Sequence, residues 1–348
     1  MQKTVTVIIP CWNEKTSIGQ CLDSIVDNGY PLELLEILVV DGLSDDGTRE
    51  IIHEHGQTHR CIHLVDNPKR HIPSALNIGI RQSQSDIIIR LDGHSILEKD
   101  YISNCIDLLT DHDAANVGGI IKTIPRRHTL MARMIAYSIS HPFGVGLSHF
   151  RLAKKGPIRP VDTVPFGCFK RELFSEIGYF DENLPNTEDI DFNLRIKKAG
   201  KKIILSPHIV SYYYARGTLK EFVKHNYRNG FLVTAPLRFN KVNFSARHLI
   251  PIVSLFTLCG MLLVGLYYKI AWWLLEALIG CYVLLDLYFS FKAFRRMKSL
   301  GFLVFMPFMF PLLHLSYGLG SLLGLFPVVW TKLTGKRKPA NGSIRASQ

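Results

Sequence analysis

The chain has 348 residues, a formal net charge of +12 at pH 7, and hydrophobic residues at 47% of its positions. That length allows one large domain with an appended segment. The positive charge is concentrated after Arg247, where ten Lys or Arg residues stand against two acids and flank long apolar stretches. Cationic residues beside apolar spans are typical of membrane helices, so we assign this charge to anionic lipid headgroups and exclude nucleic acid as a partner.

Cysteine usage and the first residues indicate the compartment. The seven cysteines form no Cys-x-x-Cys pair, and their odd number excludes a complete disulfide framework. The apolar run at residues 5–9 is too short for a signal peptide and is followed at once by Pro10. We therefore expect the part of the chain that precedes the apolar stretches to be cytosolic.

The first third of the chain alternates between two kinds of segment. Three short β-branched runs, at residues 5–9, 37–40 and 87–91, are apolar on both faces, which is typical of buried parallel strands. Segments with helical spacing lie between them, at residues 17–28, 47–55 and 73–81. This alternation predicts right-handed βαβ units and a doubly wound α/β sheet.

The third predicted strand delivers Asp92 and His94 to its carboxyl end, on either side of Gly93. Open α/β sheets bind their ligands at that edge. A carboxylate oxygen and an imidazole nitrogen suit a divalent cation, Mn²⁺ or Mg²⁺, bridging a diphosphate, and the softer imidazole favours Mn²⁺. The alternative is that Asp92 and Gly93 form a plain turn with His94 exposed.

Four segments, in this order, resemble the motifs of glycosyltransferase family 2. They are Pro-Cys-Trp-Asn-Glu at residues 10–14, the Asp-Gly-rich run at 39–48, Asp-Gly-His at 92–94 and Thr-Glu-Asp at 187–189. The family pattern has a second aspartate where this chain has His94. Residues 88–94, 164–170 and 314–320 are most similar to membrane-anchored bacterial exopolysaccharide transferases of the succinoglycan glucosyltransferase type. The resemblance implies a GT-A fold, with a Rossmann-like mixed sheet, and an inverting hexosyltransferase.

The resemblance also implies roles for residues in the first, second and fourth motifs. Asp41 matches the acceptor of hydrogen bonds from the nucleobase, and Pro10 and Glu14 are placed to contact the ribose. Asp189 matches the general base that deprotonates the acceptor hydroxyl. Glu188 would bind the acceptor or orient Asp189.

Residues 216–230 correspond to a segment in which processive relatives carry Gln-x-x-Arg-Trp. Arg228 keeps the arginine and, with Arg216 as a second candidate, would bind the diphosphate. His225 and Asn229 replace the glutamine and tryptophan, and His225 is the candidate acceptor-binding residue. Loss of the tryptophan favours addition of one sugar per encounter.

Between these motifs, residues 129–150 are apolar with interspersed cations and histidines. That pattern fits either an interfacial helix lying on a membrane or an ordinary, partly buried helix.

The last hundred residues predict membrane helices. Residues 249–268 and 270–291 are each long enough to span a bilayer, and residues 301–330 are apolar but interrupted by three prolines. Residues 292–298 form a basic return loop. The third segment either crosses the membrane or turns back near Pro311, and we favour the crossing.

These boundaries predict three regions. Residues 1–247 form a cytosolic catalytic domain, with a nucleotide-binding half at 1–115 and an acceptor half at 116–247. Residues 248–331 form the transmembrane region, and residues 332–348 a basic tail. The chain is expected in the inner (plasma) membrane as a multi-pass protein in contact with membrane lipids.

Together, the motifs predict transfer of a sugar from a nucleoside-diphosphate sugar, uridine-linked, to a polyprenyl-diphosphate-linked glycan for a cell-surface polysaccharide or exopolysaccharide. Two other enzymatic readings remain open: transfer to polyprenyl phosphate itself, and processive polymer synthesis. A third alternative is an inactive nucleotide-binding membrane scaffold.

Overall fold

The computed structural model describes residues 2–334 apart from 147, 153–155, 185–186, 236 and 238–249, with the backbone alone for residues 330–334. The described chain divides into two compact units. The first contains Met1–Lys122 and His149–Tyr214, and the second contains Thr123–Ser148 and Ala215–Pro339. Arg247, where the sequence predicts a domain boundary, lies outside the described residues, and the predicted boundaries stay predictions.

A nine-stranded mixed sheet, with the order β3-β2-β1-β4-β8-β6-β9-β5 and with β7 paired to β9, is the framework of the first unit. β1 to β4 are parallel, whereas β8 runs antiparallel to β4. The strands are β1 Val5–Cys11, β2 Leu35–Asp41, β3 Ile62–Asp66, β4 Ile87–Arg90, β5 Ser95–Leu97, β6 Asn116–Pro125, β7 Arg159–Pro160, β8 Cys168–Lys170 and β9 Ile203–Ala215.

Thirteen α-helices are described. In chain order they are α1 Ile18–Val26, α2 Thr48–Thr58, α3 Ile72–Gln82, α4 Tyr101–Asp111, α5 Leu130–Ser138, α6 Pro142–Val145, α7 His149–Leu152, α8 Leu173–Ile177, α9 Glu188–Lys198, α10 Leu219–Thr234, α11 Ile250–Gly265, α12 Lys269–Met297 and α13 Leu300–Thr334.

The predicted doubly wound sheet is confirmed, because the three apolar runs form the adjacent strands β2, β1 and β4. Val7, Ile8 and Ile9 are fully buried, as expected for a strand covered on both faces. On one face, α3, α8 and α9 pack against the strands and form an apolar core that includes Leu76, Phe174 and Phe192. Burial of this apolar surface fixes the sheet and hence the positions of its strand ends.

The second unit is helical and contains the long apolar segments. α12 and residues Leu300–Val329 of α13 are long and apolar enough to cross a membrane, and α11 is a shorter apolar helix. The predicted basic return loop is largely helical, because α12 continues to Met297. The reversal falls at Lys298, whose φ of 49° is left-handed. α13 is one continuous helix that includes Pro307, Pro311 and Pro327, with no reversal at Pro311.

Residues 129–150, for which the sequence left two readings open, form the three short helices α5 to α7. In the second unit, α5 buries Met134, Ile135 and Ala136 against Phe302 and Phe310 of α13. This helix therefore has a packed apolar face.

α10 and α13 approach each other closely through glycines. A Cβ atom on Gly320 would overlap the carbonyl oxygen of Tyr227, and a Cβ atom on Gly230 would overlap the carbonyl oxygen of Tyr317. The two backbones are thus in direct contact, with no room for a side chain between them. α10 carries Arg228, so this contact ties a predicted ligand-binding residue to an apolar helix.

Substitution Gly320→Ala should destabilise the second unit, because the added methyl group overlaps the backbone of α10. Overpacking of this kind costs about 1–3 kcal/mol. The matched control is Gly280→Ala on the exposed face of α12, where nothing lies near the added Cβ and alanine is the better helix former. We expect a lower melting temperature in detergent for the first variant and an unchanged or higher one for the second. Equal shifts would contradict the close packing.

Candidate active site

The parallel strands of the first unit bring several polar side chains to one edge of the sheet. Cys11 at the end of β1 pairs with Asp41 at the end of β2, and Asp41 pairs with Asp66 at the end of β3. Ile8 pairs with Arg90, the last residue of β4. Because the carboxyl ends of parallel strands meet at the same edge, Asp41, Asp66 and the residues after Arg90 share one rim.

Asp41 is fully buried, and its carboxylate accepts three hydrogen bonds from groups of the protein. Ser44 donates its hydroxyl to Oδ1 over 2.5 Å and its amide to Oδ2 over 2.9 Å. Arg49 donates to Oδ2 over 2.8 Å and also to Asp66, whose side chain is 57% exposed. Asp41 therefore holds the loop after β2, while Asp66 is the more accessible carboxylate. The predicted contact of Asp41 with a nucleobase stays a prediction.

Asp92 and His94 follow β4 and are both partly exposed, with side chains 29% and 28% accessible. The Nδ1 atom of His94 lies 2.9 Å from Oε1 of Glu14. Since a carboxylate accepts, Nδ1 carries the proton in this arrangement, and Nε2 is the nitrogen suited to a metal. Ser17 donates to the other oxygen of Glu14 over 2.6 Å. Glu14 thus orients His94, and its predicted contact with ribose stays a prediction.

Asp92 and His94 fit a divalent cation that also binds substrate oxygens. Among the described residues, no group of three or more His, Cys, Asp or Glu side chains forms a complete metal site. Sites for Mg²⁺ in phosphate-transfer enzymes commonly use one or two protein ligands and complete their shell with phosphate and water. A histidine that binds a metal commonly donates its other ring N–H to a carboxylate, which fixes the orientation of the ring. Glu14 is the carboxylate that contacts His94 in this way.

The guanidinium group of Arg90 contacts both Asp92, the predicted metal ligand, and Asp189, the predicted base. Its Nη2 atom lies 3.3 Å from Oδ1 of Asp92 and 3.3 Å from Oε1 of Glu188, and Nη1 lies 3.9 Å from Oδ2 of Asp189. Burial by itself lowers the pKa of Arg90, but the three carboxyl groups outweigh burial and raise its pKa above the ordinary value. Arg90 is therefore held as a cation among acids.

Glu188 and Asp189, in the first turn of α9, have opposite environments. The Glu188 side chain is 1% exposed, and its Oε2 atom is buried with no hydrogen-bond partner among the described residues. Burial, opposed by Arg90 and reinforced by Asp189, raises the pKa of Glu188 to about 7. Asp189 is 41% exposed and accepts a hydrogen bond from the amide of Ile190 over 2.8 Å. Asp189 is thus the accessible carboxylate and Glu188 the buried one.

A buried polar chain anchors α9 behind these carboxylates. Asn116 on β6 donates to the side-chain oxygen of Asn193 over 2.7 Å, and Asn193 donates to Thr163 over 3.0 Å. Arg195 donates to Asp191 and to the backbone oxygens of residues 177 and 179. These bonds fix the helix and therefore the position of its first turn.

The sequence interpretation gave no role to Arg90, although a signal was available. Arg90 interrupts the apolar run of β4 and lies two residues before Asp92. Side chains alternate between the two faces of a strand, so residues 90 and 92 point to the same side. A lone cation on an otherwise apolar strand is therefore a candidate partner for the acid that follows it.

Pro10, on β1 of the first unit, pairs with Val40 of β2, and its predicted contact with ribose stays a prediction. Three other predicted site residues belong to the second unit. Arg216 precedes α10, while His225 and Arg228 lie on it. Burial, together with the positive charge of Arg216, lowers the pKa of Arg228. The two arginines thus form a pair of mutually repelling cations suited to an anion. The Nε2 atom of His225 lies 3.1 Å from the side-chain amide nitrogen of Asn229. The roles assigned to these three residues stay predictions.

Substitution Glu188→Gln should change how stability depends on pH. The pKa of Glu188 rises from 4.5 to about 7 on folding, so the native state binds its proton more tightly. The free energy of unfolding of the wild type should therefore fall as pH rises through this window. The variant has no proton to lose there, so its profile should be flatter.

The measurement is the melting temperature in metal-free detergent solution between pH 5 and pH 8. Exposed Glu172 provides the control variant Glu172→Gln, which should follow the wild type. Parallel profiles for wild type and Glu188→Gln would contradict the assignment of the raised pKa to Glu188.

Comparisons with known proteins agree with the motifs. The sequence profile described as glycosyl transferase family 2 matches residues 6–178. A dolichyl N-acetyl-α-D-glucosaminyl phosphate 3-β-D-2,3-diacetamido-2,3-dideoxy-β-D-glucuronosyltransferase of Methanococcus voltae is 32% identical over 270 residues, which cover 75% of this chain and 82% of that protein. The succinoglycan biosynthesis protein ExoA of Rhizobium meliloti is 26% identical over 257 residues, covering 69% and 76%.

A solved structure shares the fold. The mannosyltransferase PcManGT of Pyrobaculum calidifontis, solved in complex with GDP-Man and Mn²⁺, matches with a TM-score of 0.60 at 20% identity, covering 92% of this chain and 88% of that one. The predicted GT-A fold is thereby confirmed. With the profile match and the 32% identical relative, the predicted family is also confirmed: the chain belongs to glycosyltransferase family 2 and is a glycosyltransferase.

Proposed function

We propose that this enzyme transfers a sugar from a nucleoside-diphosphate sugar, with inversion, to a lipid-linked acceptor at the cytosolic face of a membrane. The observation that carries the proposal is the grouping of Asp92, Glu188 and Asp189 around Arg90. It supports the proposal because Asp92, the proposed ligand of a diphosphate-bound cation, and Asp189, the proposed base, contact the same guanidinium group. A transferase that displaces a diphosphate directly needs both groups within reach of one sugar.

Asp189 acts in this proposal as the general base. Its accessible carboxylate accepts the proton of the acceptor hydroxyl while that oxygen attacks the anomeric carbon. The bond from the anomeric carbon to the diphosphate oxygen breaks on the opposite side, and the nucleoside diphosphate leaves. Arg90 keeps Asp189 close to Asp92 by compensating the repulsion between two carboxylates.

Asp92 and His94 would hold the cation, and Glu14 would orient His94. When bound, Mn²⁺ or Mg²⁺ supplies Lewis-acid neutralisation of charge on the departing diphosphate. PcManGT, which shares the fold, was solved in complex with GDP-Man and Mn²⁺, which supports a divalent cation as the cofactor. Arg216 and Arg228 are proposed to contact the diphosphate, and His225 the acceptor.

A lipid-linked acceptor is supported by two observations. α12 and most of α13 are long and apolar enough to anchor the enzyme in a membrane. The archaeal relative acts on a dolichyl phosphate that already carries a sugar. We therefore propose a polyprenyl-linked glycan as acceptor and a role in making a cell-surface polysaccharide or exopolysaccharide, with a uridine-linked donor.

Substitution Asp189→Asn should reduce transfer by at least about 10²-fold, since a general base contributes about 10²- to 10⁴-fold. Donor binding should stay close to that of the wild type, because Asn has nearly the same shape. The measurements are nucleoside diphosphate release and donor titration by calorimetry. Asp107→Asn, at an exposed position of α4, is the control and should retain activity. Retained turnover by the Asp189 variant would remove its proposed role.

Substitution His94→Asp should shift the metal preference from Mn²⁺ towards Mg²⁺, because it replaces an imidazole with a harder oxygen ligand. Initial rates are compared after treatment with a chelator and addition of each metal alone. Asp92→Asn is the companion variant and should lose activity with both metals. An unchanged ratio of Mn²⁺ to Mg²⁺ rates in His94→Asp would contradict coordination by His94.

A further inference from the structure

Arg151, in the short helix α7, is partly buried and forms no ion pair among the described residues. Its Nη1 atom is buried and has no hydrogen-bond partner among the described residues. The guanidinium group lies against two aromatic rings. Its Cζ atom is 5.5 Å from the ring centroid of Phe150 and 5.6 Å from that of Tyr213. Burial lowers the pKa of Arg151. A desolvated cation in this state is costly for the folded protein.

Other arginines of the first unit differ from Arg151. Arg90 contacts three carboxyl groups, and Arg49 bridges two aspartates. Arg195 pairs with Asp191 and donates to two backbone oxygens. The first unit therefore pairs each of these guanidinium groups with at least one acid, although the Nε atom of Arg90 is also buried without a hydrogen-bond partner, whereas Arg151 forms no ion pair among the described residues. Cation–π contacts supply part of the missing interaction, but they do not replace hydrogen bonds.

The position of Arg151 points to the anion that would compensate it. The ring of Tyr213, which Arg151 contacts on β9, also meets the imidazole of His94 edge to face, with centroids 5.5 Å apart. Arg151 and His94 therefore share one neighbour and line the same part of the first unit. The anion expected beside His94 is the diphosphate of the donor.

We propose that Arg151 binds the diphosphate of the nucleotide sugar, donating hydrogen bonds from its guanidinium group to a phosphate oxygen of the leaving group. This inference rests on the proposed function of the site. Arginine suits the task because its planar set of donors matches phosphate oxygens and it keeps its charge when buried. Tyr213 holds the guanidinium group in place from one side, and the phosphate satisfies the Nη1 donor, which has no hydrogen-bond partner among the described residues.

A ligand-binding arginine and a structural arginine respond oppositely to removal of the charge. Without substrate, replacing an uncompensated buried cation with an apolar side chain of similar length removes a desolvation cost, so the protein should become more stable. Replacing a structural arginine breaks hydrogen bonds that the fold uses, so the protein should become less stable. Melting temperature without ligand thus separates the two roles, independently of activity.

The test uses the full chain in detergent, with variants Arg151→Met and Arg151→Lys and the matched structural control Arg195→Met. Melting temperatures are measured without ligand, and affinities for UDP and GDP with Mn²⁺ are measured by calorimetry. Arg151→Met should melt at or above the wild-type temperature, and Arg195→Met below it. For the nucleotide that the wild type binds, Arg151→Met should weaken binding about tenfold or more, as expected for loss of a charge-assisted hydrogen bond. Arg151→Lys should weaken it less.

Four results would overturn the proposal. Unchanged nucleotide affinity in Arg151→Met, or a fall in its melting temperature as large as that of Arg195→Met, would make Arg151 structural. Weakened binding of a short-chain polyprenyl phosphate with unchanged nucleotide affinity would assign Arg151 to the acceptor instead. Failure of the wild type to bind either nucleotide would contradict the proposed function itself, and the role of Arg151 with it.

Discussion

The placement of one guanidinium group among three carboxyl groups is the interaction on which the site depends. Asp92 and Asp189 come from segments nearly a hundred residues apart, and like charges at close range repel. Arg90 compensates that repulsion from the end of β4, where its side chain is only 13% exposed and electrostatic interactions are stronger than in water. Burial of Glu188 raises its pKa to about 7 and so moderates the negative charge that Arg90 must balance.

The architecture of the sheet explains why this grouping forms where it does. Parallel strands present their carboxyl ends at one rim, and α9 delivers its first turn to the end of β4 because the Asn116–Asn193–Thr163 hydrogen bonds and the aromatic core hold the helix. The polar groups of the first unit are of two kinds, those that form ion pairs within the protein and those that do not. Asp41 and Arg90 form ion pairs within the protein, whereas Arg151 forms none among the described residues, and its Nη1 atom has no hydrogen-bond partner there. The first kind builds the site, and we propose that the second binds substrate.

The second unit is held together by close packing between helices. Its helices pack through glycines, so that α10 lies directly against the backbone of α13. In a membrane, lipid tails are as apolar as side chains, and close van der Waals packing replaces the hydrophobic effect as the force between helices. Such packing would couple α10, with Arg228, to the proposed membrane anchor, which is consistent with a lipid-linked acceptor.

The sequence by itself determined the family, the parallel strands and the long apolar helices, because periodicity and short motifs are local properties of the chain. It also marked Asp92, His94, Glu188 and Asp189 as candidates. Only the tertiary structure placed Arg90 between Asp92 and Asp189, turned Glu14 towards His94, bonded Asp41 to Ser44 and Arg49, and left Arg151 without an ion pair among the described residues. These outcomes depend on contacts between residues distant in sequence and on burial. Neither can be read from composition or spacing, since the cost of a buried charge depends on what the rest of the chain places beside it.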